Sequence, residues 1–301
     1  MSQALVVVNP AAGGGRTERR WPRLRDALTR AGLDFDWVAT RAGGDGVELA
    51  RAGVRSGHRL VVAVGGDGTV NEVVNGVTGA DGVPQATAGA VLTGRGRDAC
   101  RNFGVPTAMS AAVAALVDGA DATVDLGLVT WADGHRRYFL GAAGAGFDAA
   151  VALRAASVAA RGTLPYLFAV LATVRSSRPR PATLTADGAV IWTAPLTAAI
   201  VANARHFGGG MRIAPHADPT DGALDLVVLG ALGRLEMVRW LPTIYWGGHL
   251  SNPRVTTRRL ARITVDAPAP LPTQLDGEVD GTTPVTITVA PRALRLRLPR
   301  G

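Results

Sequence analysis

The chain of 301 residues contains no lysine, so all 32 of its basic residues are arginine. That excludes a Walker-type GK[ST] phosphate loop and a lysine Schiff base. There is one cysteine, Cys100. It excludes an intrachain disulfide, fits a reducing cytosol and reads as a small apolar filler. Three tyrosines and six phenylalanines offer little to stack on bases, and no dense arginine block is present; nucleic acid is not an expected partner. The five histidines (58, 135, 206, 216, 249) lack metal-ligand spacing and read as structural or exposed. Long apolar runs are missing too. The longest, LPYLFAVLATV at 164–174, lies between Arg161 and Arg175, whereas a spanning helix needs about 20 residues. The apolar start at 4–8 is too short for a signal peptide. The expectation is a soluble, cytoplasmic protein that touches membranes only peripherally.

What is present points to a globular protein. Hydrophobic residues make up 47% and charged residues 19%, and this length suits two domains. A net charge of +8 favours anionic partners, either phosphorylated ligands or an acidic membrane face. Residues 4–8 (ALVVV) read as a buried parallel strand, 60–64 (LVVAV) as a buried strand, 34–40 as an alternating strand and 88–93 (AGAVLT) as a fourth strand. Helical spacing at 17–31, 47–57, 69–77 and 107–117 separates them. The alternation predicts an open, mostly parallel α/β sheet over residues 1–121, with ligands at the C-terminal strand ends. From residue 122 the pattern changes to short alternating strands with turns at Asp133-Gly134 and Asp187-Gly188. Helical patches near 148–176 and 233–247 interrupt them. A mainly β sandwich is expected for 122–290, with 291–301 packing back on the first domain.

The string GGDG occurs twice, at 43–46 and at 65–68. The second copy follows the buried run LVVAV and leads into TVNEVVNG. Glycines there let backbone N–H groups approach phosphate oxygens, and the helix N-terminus adds positive dipole. Thr69 is expected to cap the helix, with Glu72 completing a capping box. Asp67 reads as a magnesium ligand, directly or through water, or as a base acting on an attacking hydroxyl; the plain alternative is a tight turn before a capped helix. The first copy reads as a solvated turn, and Thr40 just before it faces the ligand crevice. LDGEVDG (275–281) sets two carboxylates beside glycine turns, with a hairpin turn as its alternative. DPTDGALD (218–225) alternates oxygen donors and suits a hard cation or an Asx-rich turn. HFGGGM (206–211) is either a substrate-approach loop or a mobile one.

Six stretches, VVVNPAAGGGR (6–16), VGGDGTVNEVVNG (64–76), GRGRDACRNFGVP (94–106), GAGFDAAV (144–151), 202–229 and 275–299, follow the order of the diacylglycerol kinase catalytic family. The chain resembles that family over nearly its whole length, most closely the soluble bacterial lipid kinases. The resemblance implies transfer of the γ-phosphoryl group of ATP, with Mg²⁺, to a lipid hydroxyl, diacylglycerol first. It implies an N-terminal domain with the fold of NAD kinases, a C-terminal β-sandwich, and ATP in the cleft between them. By motif, Asn9, Thr40, Gly65, Gly66, Asp67, Gly68, Thr69, Asn71, Gly94, Arg95 and Gly96 would hold nucleotide. Asp67, Asp98, Asp125 and Asp276 would surround the catalytic magnesium, and Glu278 would accept the proton. Asp221, with the carbonyls of Asp218 and Ala223, would hold a second, structural magnesium. Lipid substrate and anionic membrane lipids are the implied partners, at the inner membrane face; monomer and homodimer are both open.

One stretch departs from the family. Its Gly-Thr-Gly-Asn-Asp pattern is here Gly94-Arg95-Gly96-Arg97-Asp98, preceded by Leu92 in place of a proline. Arg95 offers a fork for an ATP phosphate. Arg97 is expected to pair with Asp98 or Asp67. Two other readings follow: a nucleotide- or lipid-binding homologue impaired at this loop, or a kinase of another acceptor such as a sphingoid base, phosphatidylglycerol or NAD.

Overall fold

A computed structural model describes residues 3–94, 96–157 and 163–300, with side chains at 156–169 outside the description. Arg95 therefore lies outside the described residues. The chain divides into two compact units, Met1–Leu126 with Ala290–Gly301, and Gly127–Val289.

The first unit is built on the strands β1 (Ala4–Val8), β2 (Phe35–Ala39), β3 (Leu60–Gly65) and β4 (Thr87–Leu92). They lie in the order β2-β1-β3-β4, all parallel. The end of the last strand, Val285–Leu298, adds beside β4, pairing Arg295 with Thr87. β1, β3 and β4 are buried along their whole length, which is why they read as unbroken apolar runs. β2 is the edge and shows exposed positions. The helices are α1 (Ala12–Arg30), α2 (Asp45–Arg55), α3 (Asp67–Val77), α4 (Asp98–Phe103) and α5 (Met109–Asp118). Leu24 and Leu28 of α1 and Leu116 of α5 pack on Val6, Val62 and Val64. Because the strand order reverses direction between β1 and β3, the crevice for a ligand opens at Asn9 and Gly66.

The second unit is a sandwich of two antiparallel sheets with helices on one outer face. One layer pairs Ala189–Trp192, Thr183–Ala186, Arg262–Asp266 and residues 285–289. The other runs Val255–Leu260, Leu224–Gly230, Pro195–Ala202, Ala142–Gly146, Pro272–Leu275, Glu278–Thr282. Phe139, Leu184, Leu196, Leu226, Ile263 and Leu275 fill the space between the layers. A second cluster lies where Phe147–Ser157, Thr163–Ser176 and Arg234–Trp240 cover the other face of the larger sheet; Val170, Ile200, Val227 and Met237 belong to it. The α/β domain followed by a β-sandwich is the expected fold class. The strand Val255–Leu260 was not foreseen. It is an edge strand with four exposed central positions, so it lacks an apolar alternation. Among the described residues no helix is long and apolar enough to cross a membrane.

Candidate active site

Three loops of the first unit meet at the ends of β1, β3 and β4. Asn9 donates its backbone N–H to the Val64 carbonyl at 2.9 Å, and its Nδ2 donates to Thr69 Oγ1 at 3.0 Å. The Gly65 carbonyl accepts the backbone N–H groups of Thr93 (2.8 Å) and Gly94 (3.2 Å). Thr93 Oγ1 lies 2.5 Å from Thr17 Oγ1, a buried contact that ties α1 to the third loop. Thr40 is buried beside these loops, and its N–H donates to the Val8 carbonyl. Glycine makes the approach feasible. A Cβ on Gly94 would stand 2.7 Å from the Gly66 Cα, so two backbones touch where any side chain would part them. Gly13, Gly14 and Gly15 all take left-handed conformations (φ 64°, 71° and 78°), so AAGGGR forms a turn ahead of the regular part of α1.

The helix α3 begins at Asp67 with Gly66 before it, and no side chain caps it. Gly66, Asp67 and Gly68 are partly exposed, so the start of the helix is accessible to an anion. This corrects the expected capping box. Thr69 is inside the helix and accepts from Asn9. Glu72 reaches away from the helix start. Its Oε1 and Oε2 accept the backbone N–H groups of Gly44 and Gly46, both at 2.9 Å. The two GGDG copies are thus joined: the helix after the second anchors the loop of the first. In a capping box Glu72 would not be available to hold that loop. Within the first copy, Asp45 accepts the N–H groups of Arg41 and Ala42, which holds its carboxyl below the ordinary range. Gly43 and Gly44 remain exposed. Asn71, one helical turn before Asn75, is buried, and its carbonyl and Oδ1 both accept from Asn75 Nδ2.

Asp67 Oδ1 accepts the Ala99 N–H at 3.0 Å, and its Oδ2 faces the bare Cα of Gly96, where a Cβ would come within 2.4 Å. The acidic group of the second loop and the start of α4 therefore share one carboxylate. Asp98 is ion-paired with Arg101 at 2.9 Å, and the Arg101 guanidinium also donates to the Gly96 carbonyl. Arg97 was expected to pair with Asp98 or Asp67; Arg101 is placed to pair with Asp98 because it lies one helical turn on. Arg97 instead holds a left-handed backbone, φ 59°. Asp125 is buried and accepts the Arg292 N–H at 2.7 Å. Within either unit no three His, Cys, Asp or Glu side chains gather into a metal cage among the described residues. A magnesium ion bridging ATP phosphates needs only one or two carboxylates, and the oxygens of Asp67 beside an uncapped helix start fit that demand.

In the second unit LDGEVDG is a two-residue hairpin. Asp276 (φ 48°) and Gly277 (φ 88°) form the turn, and Leu275 pairs with Glu278. Asp276 accepts three backbone N–H groups, Leu140 and Gly141 at 2.8 Å and Ala142 at 3.1 Å. Glu278 is exposed and ion-paired with Arg137. Burial alone would lower the Arg137 pKa, but the hydrogen bond and charge of Glu278, with Asp280 and Asp276, raise it. So Asp276 faces backbone N–H groups, while Glu278 and Asp280 face Arg137. At 218–225 the structure is an Asx turn: Asp218 Oδ1 accepts from Thr220, and Asp221 Oδ1 accepts the Ala223 N–H at 3.0 Å. The Arg259 guanidinium sits on Asp221 Oδ2. A divalent cation bound through Asp221 would compete with Arg259, whose ion pair is largely exposed. In 206–211, Phe207 and Met211 bridge to each other. The arginine-flanked stretch 160–180 falls partly outside the described residues; in its helix, Val170, Thr173 and Val174 are buried.

Sequence reasoning did not anticipate an apolar cavity of about 870 Å³ in the second unit. Val151, Val170, Phe207, Ile213, Met237 and Trp240 are among its walls. Asp148 and Gln274 supply polar groups. Gln274 Nε2 donates to Asp148 Oδ2 at 2.9 Å, and Gln274 Oε1 accepts the Gly277 N–H at 2.8 Å. Asp148 is thereby linked to the hairpin that carries Asp276 and Glu278. Burial pushes its carboxyl up to about 6, against the pull of Gln274 and of N–H groups at 148 and 149. The only sequence signal was the GAGFDAAV string; its Asp opens a helix packed under a sheet.

Residues 3–129 match the diacylglycerol kinase catalytic domain, and residues 141–298 match the YegS C-terminal NAD kinase beta sandwich-like domain. The diacylglycerol kinase of Mycobacterium tuberculosis is 32% identical over 302 residues, covering 100% of this chain and 96% of that one. The chain belongs to the diacylglycerol kinase catalytic family. Membership makes it a kinase. Among solved structures, a diacylglycerol kinase from Bacillus anthracis superposes with a TM-score of 0.74 at 20% identity, covering 99% of this chain and 97% of that one. An NAD kinase from Archaeoglobus fulgidus in complex with ATP gives 0.51 at 14% identity, with 95% and 90% coverage. Those two likenesses concern the fold: an α/β domain followed by an NAD kinase-like sandwich.

Proposed function

We propose that this diacylglycerol kinase family member transfers the γ-phosphoryl group of ATP to the hydroxyl of a lipid, with diacylglycerol as first acceptor. The observation that carries the acceptor class is the 870 Å³ cavity. Its walls are aliphatic and aromatic, which suits acyl chains and not a soluble dinucleotide such as NAD. The donor half of the reading rests on the first unit. Asn9, Gly65 to Thr69, Gly94 and Gly96 surround an uncapped helix start where phosphates are stabilised by N–H groups and the helix dipole.

In the proposed reaction the lipid oxygen forms a bond to the γ-phosphorus while the bond from that phosphorus to the β–γ bridging oxygen breaks. ADP leaves, and the hydroxyl proton passes to a carboxylate, for which Glu278 is the candidate. Arg137 holds Glu278 in place, and Asp276 locks the hairpin through its three N–H bonds. Magnesium, when bound, would neutralise phosphate charge, with Asp67 and Asp98 as its candidate ligands. The protein would act at the inner membrane face, peripherally. Mass spectrometry of a mixed lipid acceptor panel with ATP tests the proposal. A phosphorylated lipid is expected, and Asp67→Asn should slow transfer by at least about a hundredfold. Absence of product with every lipid, or an unchanged rate in Asp67→Asn, refutes it.

A further inference from the structure

Among the described residues nine large hydrophobic side chains are well exposed, and four of them fall within one short stretch of the second unit. Leu235 is 88% exposed, Val238 48%, Tyr245 54% and Trp246 63%. Leu235 and Val238 share one face of the helix Arg234–Trp240, three residues apart. Met237 on its other side is buried, as is Ile244 in the following turn of helix Leu241–Trp246. The stretch is therefore pinned from beneath while its apolar side chains stand in water. Isolated exposed apolar residues need no explanation, but a cluster held rigidly outward does.

Charge in the stretch is one-sided. Its single acid, Glu236, is turned to Arg254 at 2.9 Å, to Asn252 Nδ2 at 3.1 Å and to the Gly233 N–H. Arg234 and Arg239 stay exposed beside Leu235 and Val238. Tyr245 and Trp246 are exposed yet also line the apolar cavity, so they stand at its rim. Tryptophan and tyrosine favour the headgroup level of a bilayer, and arginines are drawn to anionic lipids there.

We propose that residues 234–246 form the surface by which this protein docks on an anionic phospholipid bilayer. Leu235 and Val238 enter the interface, Arg234 and Arg239 meet lipid phosphates, and the cavity rim at Tyr245 and Trp246 is held against the source of acceptor. The surface deepens the lipid-kinase reading and rests on it.

The test uses the full chain and vesicles of phosphatidylcholine with or without phosphatidylglycerol. Two double variants are compared with wild type: Leu235→Glu with Val238→Glu, and Arg234→Gln with Arg239→Gln. Wild type should sediment with anionic vesicles. Each variant should bind at least about tenfold more weakly. Their rates on a short-chain diacylglycerol dissolved as monomers should equal the wild-type rate. Vesicle binding at the wild-type level in both variants overturns the proposal. So does a wild-type dimer that the glutamate variant splits, since a second copy would then cover the patch. An equal loss of rate on the dissolved acceptor in the arginine variant also overturns it. If wild type phosphorylates no lipid but vesicle binding still depends on these residues, the surface stands and the kinase reading falls.

Discussion

Asp148→Asn should make the protein more stable at neutral pH and have little effect in acid. Asp148 Oδ1 is cut off from water and has no partner at hydrogen-bond geometry. Burial holds its carboxyl at about 6 in place of 3.8. A raised carboxyl pKa means that the folded chain keeps its proton to higher pH than the unfolded chain does. Stability is therefore greatest below the unfolded value and is lost as pH rises through about 6. A shift of roughly two units corresponds to about 3 kcal/mol lost above pH 7. Asparagine has the same shape, still accepts from Gln274 and never ionises. Thermal melts of wild type and variant across this range are the assay. The variant should gain about 3 kcal/mol near pH 8, a rise of roughly 6–12 °C. The gain should shrink to about 1 kcal/mol or less toward pH 4.5. An equal gain at both ends would show that ionisation is not its source. No gain at pH 8 would show that the site tolerates the charge.

Gly94→Ala places a Cβ 2.7 Å from the Gly66 Cα, so one of the two backbones must shift. It should cost about 1–3 kcal/mol and weaken ATP binding measured by titration calorimetry; unchanged binding would mean that the loops have slack. Arg97→Asn should raise the melting temperature, because a left-handed conformation costs arginine about 1–2 kcal/mol and asparagine less. A lower melting temperature would show that the Arg97 side chain outweighs that strain. Glu72→Ala leaves the N–H groups of Gly44 and Gly46 without their acceptor. Limited proteolysis should then cut at 41–46, with about 1–3 kcal/mol lost; full resistance would remove Glu72 as the anchor.

The parallel sheet was legible from β1, β3 and β4 because burial on both faces leaves runs of Val, Leu and Ala with no polar interruption. The hairpin at Asp187-Gly188 was legible for a local reason: both residues take positive φ, which Asp and Gly tolerate. The strand Val255–Leu260 was not, since an edge strand carries charges where a central one carries apolar residues. Partners within the site were also hidden. Thr69 and Glu72 have capping-box spacing, yet Glu72 serves a loop 26 to 28 residues away. Arg97 neighbours Asp98 in sequence, yet the helical turn delivers Arg101.

By itself the sequence determined which backbone positions could come close: the glycines at 65, 66, 94 and 96 mark the close contacts, because only a residue without Cβ allows them. It also determined the family, through motifs spread over the whole chain. The tertiary structure alone decided what each carboxylate faces. Asp276 takes three N–H groups, Glu278 takes Arg137, Asp221 takes Arg259, and Asp148 is buried beside Gln274. A carboxylate accepts from whatever donor the packing brings within about 3 Å, and that distance depends on residues remote in the chain.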